Sequence, residues 1–323
     1  DDMLKIFKLY RWFTVRYYDN GRLIKEERVM EKSKLVQPQY KLPNGCVLAE
    51  GWYFPSENRI WDFDRDTAEQ DIDLYLNYMS EGVAVRDGMV TSFGSRTRSH
   101  IYIPEYYDGY KVDTVKSNSI NVPYESYIHL GNNMENFEIL LTNANVLGLY
   151  FPLTHPLVKS DGGYMYVQND GEFFLFFAPK LKHGDTLAIC DGCKSINTMA
   201  INGIRGLKHL ILPDSLQHLA ELSIVDTDVE ELILPKNISI IDGTAICNNR
   251  NLKKIVLEGD ISDIITENTF ISLDGSNNVI RPTLYVFPEY YENYKAKNLA
   301  YELKVVGGEY FDARYALNSD VVK

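Results

Sequence analysis

Between Leu207 and Leu257 the chain states one pattern three times. Leu207, Leu210 and Leu212 are followed 22 residues later by Val229, Leu232 and Leu234, and 23 residues after those by Leu252, Ile255 and Leu257. Pro213 matches Pro235. Four residues beyond the last apolar position of each copy stand Leu216, Ile238 and Ile261, and seven beyond it Leu219, Ile241 and Ile264. The same offsets link Ile189, Cys193 and Ile196, and again Leu130, Met134 and Phe137, so the array starts well before Leu207.

A unit this short cannot bury its own leucines; it folds only by stacking on copies of itself. A period in the low twenties that opens L-x-x-L-x-L is the pattern of a leucine-rich repeat, in which one short strand and a return turn make each coil. The spacing therefore predicts an elongated right-handed solenoid with a parallel sheet. Proline after the strand ends the ladder because it has no N–H to donate. Near 160–179 the array is interrupted by "GYMYVQNDGEFFLFF", which reads as two aromatic strands around a turn at Asp170-Gly171. At the far end "TLYVFPEYYENYKAKNLAYELKVV" gives a strand, Tyr290, Tyr291 and Tyr294 at helical spacing, and another strand, which suits a cap.

Ahead of the array, "TVRYYDNGRLIKEERV" reads as strand, Asn20-Gly21 turn and strand, and the stretch through "DIDLYLNY" ends as another strand.

These segments together resemble the BspA-like leucine-rich repeat family of bacterial surface proteins. "IYIPEYYDGYKVDTV" (Ile101 to Val115) is similar to that family's first coil, "GYMYVQNDGEFFLFFAPK" to its inserted hairpin, and "LYVFPEYYENYKAK" to its terminal strand and helix, covering roughly 82 to 306. The match is poor between Thr142 and Lys159. Residues 12 to 78 resemble the Listeria–Bacteroides repeat, through Gly51, Trp52 and Tyr53, then Trp61, Asp62, Phe63 and Asp64, then Asp73, Leu74 and Tyr75. One copy is visible where family members often carry several. The resemblances imply a β-rich chain with little helix: a β-grasp-like module at 1–80, a leucine-rich solenoid at 81–306 and a tail at 307–323. They also imply an extracellular or surface location and an adhesion-like role, with the module as spacer or second contact.

The whole-chain totals narrow the partners. A net charge of −12 and no Lys/Arg-rich run oppose nucleic acid and anionic bilayers. No stretch reaches the roughly 18–20 apolar residues of a membrane span, and no signal peptide is visible. The chain opens Asp-Asp-Met, as expected of one whose targeting segment has been removed. Four cysteines are too few and too scattered for a disulfide framework.

Asp62, Asp64 and Asp66 alternate, with Asp73 in the twelfth place of an EF-hand-like loop, which would suit calcium. Against that, Thr67 stands where the loop needs Gly and Asp73 where it needs the longer Glu, so the favoured reading is a solvated acidic turn after an aromatic strand. Cys190 and Cys193 form a Cys-x-x-Cys pair near His183, a start for zinc. The repeat register instead places Cys193 with Leu216, Ile238 and Ile261, and Cys247 with Val225 and Phe270, as small buried residues. No nucleophile elbow, Walker loop or His-Glu-x-x-His helix is present, so neither an enzyme nor a cofactor is expected.

Strand alternation supplies the binding candidates. If Leu210 and Leu212 point inward, His209 and Ile211 point outward, and so do Glu231 with Ile233 and Lys254 with Val256. Stacking aligns an apolar stripe beside a row of mixed charge, and such a stripe is normally covered. Three occupants are open: the C-terminal segment "EYFDARYALNSDVV", a second copy of the chain, or a protein or glycan of a host or neighbouring cell. Tyr102, Tyr106, Tyr107 and Tyr110 form a second candidate surface, whose rings could stack on sugars or peptide side chains. A glycan-binding or calcium-dependent accessory module is the alternative function, and an enzyme acting on surface polymers a third.

Overall fold

The computed structural model describes residues 11–94, 99–116, 121–137, 140, 143, 145–152, 154–155, 158–180 and 184–307. His183 and the segment 309–322 invoked above lie outside the described residues. The chain divides into two compact units, 1–165 and 166–323.

In the first unit, β1 (Trp12–Asp19) and β2 (Arg22–Met30) form the expected antiparallel hairpin. Asn20 and Gly21 both take left-handed backbone angles (φ 46° and 77°), the pair of positive values a two-residue primed turn demands. β5 (Ile72–Ser80) lies parallel to β1 and antiparallel to β3 (Cys46–Phe54), and the short β4 (Arg59–Ile60) closes the order β2-β1-β5-β3-β4. Alternating residues of these strands, Val15 and Tyr17 with Ile72, Leu74 and Leu76, pack with Trp52, Phe54 and Trp61 in one core.

Next in the chain, His100–Tyr102, Ser126–His129 and Val146–Tyr150 stack as a parallel sheet. Asn77 of β5 ties that stack to the N-terminal sheet. Its fully buried amide donates to the carbonyls of Ala49 and Tyr106 (2.7 Å to the latter) and accepts from the N–H of Glu105 (2.9 Å) and Tyr106 (3.3 Å). One side chain thereby satisfies four backbone groups that burial would otherwise strand.

The second unit is the expected solenoid of stacked parallel strands, but the three coils that open at Thr186, His209 and Glu231 each carry three short strands where the repeat pattern predicted one. The first ladder runs through Thr186–Ala188, His209–Ile211, Glu231–Leu234, Lys254–Leu257, Thr283–Val286 and Leu303–Val305. A second joins Cys193–Ile196, His218–Leu219 and Ile240–Ile241, and a third joins Ile201–Asn202, Ile224–Val225 and Ile246–Cys247. The apolar offsets four and seven residues after the first strand are therefore the rungs of a second wall. Leu187, Leu210, Leu232, Ile255 and Leu284 point inward from the first ladder and are buried. Each such side chain contributes roughly 1.5–3 kcal/mol when fully enclosed. In the third copy Ile264 is only half-buried and Ile265 takes the inward place, one residue later.

The aromatic insert turns at Asp170 (φ 50°) and Gly171 (φ 82°) as predicted. Its second arm, Glu172–Phe177, also pairs in parallel with Cys193–Ile196, so it founds the second ladder as well as closing a hairpin. At the other end two tyrosines meet backbone groups of the coil that opens at Lys254. Tyr294, on the helix Tyr291–Ala296, accepts from the N–H of Ile261 and donates to the carbonyl of Gly259, both at 2.8 Å. Tyr301 does the same between Phe270 N–H (3.0 Å) and Thr266 C=O (3.1 Å). This is how the cap works: phenol hydroxyls stand in for backbone partners.

Candidate functional site

Register along the first ladder of the second unit places Thr186, His209, Glu231, Lys254 and Thr283 in one outward row. Ala188, Ile211, Ile233, Val256, Tyr285 and Lys304 form the row beside it. His209 and Glu231 are exposed, and Ile211 and Ile233 are half-buried. Lys254 pairs with Glu231 (2.8 Å) and its ammonium sits 4.9 Å above the Tyr285 ring, where Lys304 also lies at 5.9 Å. Val256, expected as a contact residue, is fully buried between its register partners Ile233 and Tyr285 and is unavailable to any ligand. The open part of the stripe is thus His209, Ile211, Glu231 and Ile233.

The four tyrosines of the first coil do not make one surface. Tyr106 is buried and stacks on Tyr53 at 5.4 Å. Tyr107 and Tyr110 face each other across a small hairpin turned at Asp108-Gly109, with Tyr110 exposed. Tyr102 joins a different set: Tyr102, His129 and Tyr150 stack in sequence, with centroids 4.2 and 4.9 Å apart, and Tyr78 meets Tyr102 at 5.3 Å with its ring tilted by 49°. Because strands in a parallel sheet sit about 4.8 Å apart, equivalent rings cover each other's faces and present only their edges. A flat platform for a sugar ring is therefore absent from this row.

His129 is the most constrained member of that stack. Its Nε2 lies 2.9 Å from Nδ1 of His100, so one proton bridges two imidazoles, and its own Nδ1 is buried without a partner among the described residues. Burial first, and the neighbouring His100 second, pull its pKa down to about 4.

A second polar row runs across the second ladder. Ser195 Oγ lies 3.4 Å from His218 Nδ1, and His218 Nε2 lies 3.3 Å from Asp242 Oδ2. The residue types are those of a hydrolase triad, but the arrangement is not. The serine is buried, it sits within a ladder strand away from any sharp turn, and it meets the imidazole nitrogen that a triad reserves for the carboxylate. The row cross-links successive coils. Sequence reading missed it, and strand register alone does not give it, since it aligns Ser195 with His218 and then with Ile240, two residues before Asp242.

The acidic loop does not gather its carboxylates. Asp62 Oδ1 accepts from the N–H of Asp64 (2.9 Å) and Arg65 (3.2 Å), Asp66 pairs with Arg59, and Asp73 faces Arg16 at 3.5 Å. Among the described residues no group of three potential ligands converges on a metal position. Cys193 is buried and its thiol is pushed up to about 12, first by desolvation, which suits a packing residue and not a zinc ligand. No disulfide joins any of the four cysteines.

Residues 180–296 match the family model of the BspA type leucine rich repeat region in six copies. Comparison with curated proteins gives no match. Among solved structures the chain is similar to the pneumococcal vaccine antigen PcpA, with 12% identity over 64% of this chain and 70% of that one and a TM-score of 0.37. It is also similar to a leucine rich cell surface protein from Faecalibacterium prausnitzii A2-165, with 13% identity over 65% of this chain and 60% of that one and a TM-score of 0.33. No helix of the described residues is long and apolar enough to cross a membrane.

Proposed function

We propose that this chain is a non-catalytic bacterial cell-surface or secreted protein whose leucine-rich solenoid presents its first ladder to a protein on a host or neighbouring cell. The observation that carries the reading is the register-aligned pair of rows, in which half-buried Ile211 and Ile233 lie beside exposed His209 and Glu231. A flat strip of alternating apolar and charged side chains on a rigid ladder suits recognition of a protein surface. The repeat-family match over 180–296 supports it, since it covers these coils. The sheet of residues 12–80 is, on this reading, a β-grasp-like module of the Listeria–Bacteroides repeat kind, and its strand order places β1 and β5 in parallel at the centre. The test is binding of fluorescent protein to epithelial cells and to other bacteria, for wild type and Ile211→Glu/Ile233→Glu. The variant should keep its circular dichroism and thermal transition and lose cell binding; retained binding by a folded variant refutes the assignment.

A further inference from the structure

A cavity of about 210 Å³ opens on the N-terminal sheet beside β4, lined by Phe54, Arg59, Trp61, Asp66, Thr67 and Gln70 among others. Its walls are fixed from within. Asp66 Oδ2 accepts from the N–H of Asp62 at 2.8 Å, while Lys32 N–H reaches Ala68 C=O (2.7 Å) and Ala68 N–H reaches Ser33 C=O (2.9 Å). The Arg59 guanidinium lies across the rings of Phe54 and Trp61, 5.7 and 5.5 Å from their centroids, and is clasped by Glu57 (2.7 Å) and Asp66. Trp61 is 4% exposed, and its indole N–H is enclosed with no acceptor among the described residues. An unmet buried donor is uncommon in a finished core and calls for an explanation.

We propose that this cavity is a subsite for one neutral pyranose ring of a glycan. Size comes first: it lies below the roughly 300 Å³ at which pockets for drug-sized ligands begin, so it admits a single small ring. Charge comes second. Arg59 is already answered by two carboxylates, Glu57 and Asp66, and Arg65 faces Asp62 at 3.8 Å, so an anionic ligand finds no free cation, and with Glu69 the lining keeps a surplus of one negative charge. Hydroxyl groups both donate and accept, and can use what is left: the outer guanidinium nitrogen, the second carboxylate oxygens, the Gln70 amide and the Thr67 hydroxyl. Guanidinium, carboxylate and carboxamide are planar groups with paired polar atoms that match vicinal hydroxyl pairs, while Phe54 and Trp61, covered by the Arg59 guanidinium, and buried Ile72 back the site from behind. The site does not rest on the repeat-face reading, and either can fail alone.

The experiment is a titration of the ¹⁵N-labelled full chain, following the assigned Trp61 indole N–H resonance, with glucose, galactose, mannose and N-acetylglucosamine in turn. A single small ring gives weak binding, so at least one sugar should produce a saturable shift with a millimolar midpoint. Gln70→Ala and Thr67→Val, which change side chains outside the packed core, should each weaken it several-fold. Absence of a saturable shift with all four sugars overturns the proposal. So does a shift produced by lysine amide and by no sugar, which would assign the cavity to a basic peptide, and so does a sugar shift unchanged in both variants.

Discussion

Acidification should loosen the first unit through His129, and the size of the effect follows from its surroundings. The imidazole is enclosed by Tyr102 and Tyr150 on its faces and by His100 at its Nε2, and burial and His100 are what disfavour its charge. The folded protein therefore favours the neutral ring, with a pKa of about 4, whereas the unfolded chain protonates near 6.5. A group whose folded value is depressed contributes its full stability above the unfolded value and loses it as pH falls from 6.5 towards 4. The difference corresponds to about 3 kcal/mol at most. Two units need not unfold together, so a single melting curve is a poor readout. Hydrogen exchange of the amides in Ser126–His129 and Val146–Tyr150, followed from pH 7 to pH 4.5 after correction for intrinsic rates, reads the right region. Wild type should lose protection across that window, and His129→Phe, which keeps a stacking ring and removes the titration, should lose much less. Parallel loss in the two proteins would refute the reasoning.

Three further outcomes follow from named contacts. Asn77→Ala leaves two carbonyls and two N–H groups unmet between the N-terminal sheet and the first coil, and should cost about 2–4 kcal/mol, seen as faster exchange of the Glu105 and Tyr106 amides. Tyr294→Phe keeps the ring but removes the hydroxyl bridging Ile261 and Gly259; a loss of about 1–2 kcal/mol in urea denaturation of the second unit is expected, with faster exchange at Ile261. The Ser195–His218–Asp242 row should not react with a fluorophosphonate probe, and labelling abolished by Ser195→Ala would show that a nucleophile had been misjudged.

The repeat was legible because a solenoid repeats its environment: a residue 22 or 23 positions on meets the same neighbours, so burial is written into spacing. The Asn20-Gly21 and Asp170-Gly171 turns were legible because left-handed backbone angles select those residue types. What stayed hidden depends on contacts with no constant period. Asn77 reaches Glu105 and Tyr106 across 28 and 29 residues, and nothing local marks it as a clamp. The stack of Tyr102, His129 and Tyr150 has spacings of 27 and 21, irregular enough to escape a search for one period. Alternation puts Val256 in the outward row, but facing outward from a strand is not the same as meeting solvent, and Val256 is fully buried. The carboxylates of the acidic loop were read as a set, whereas Arg59 and Arg16 each take one of them away.

The account stands or falls on whether the open strip of the first ladder touches another macromolecule. The direct measurement is photo-crosslinking on intact cells with benzoylphenylalanine in place of His209, compared with the same group in place of Glu221, which lies between the second and third ladders. The account predicts an adduct joining one copy of this chain to a different polypeptide from position 209 and none from position 221. Equal adducts from both positions, or an adduct from position 209 containing only copies of this chain, would contradict it.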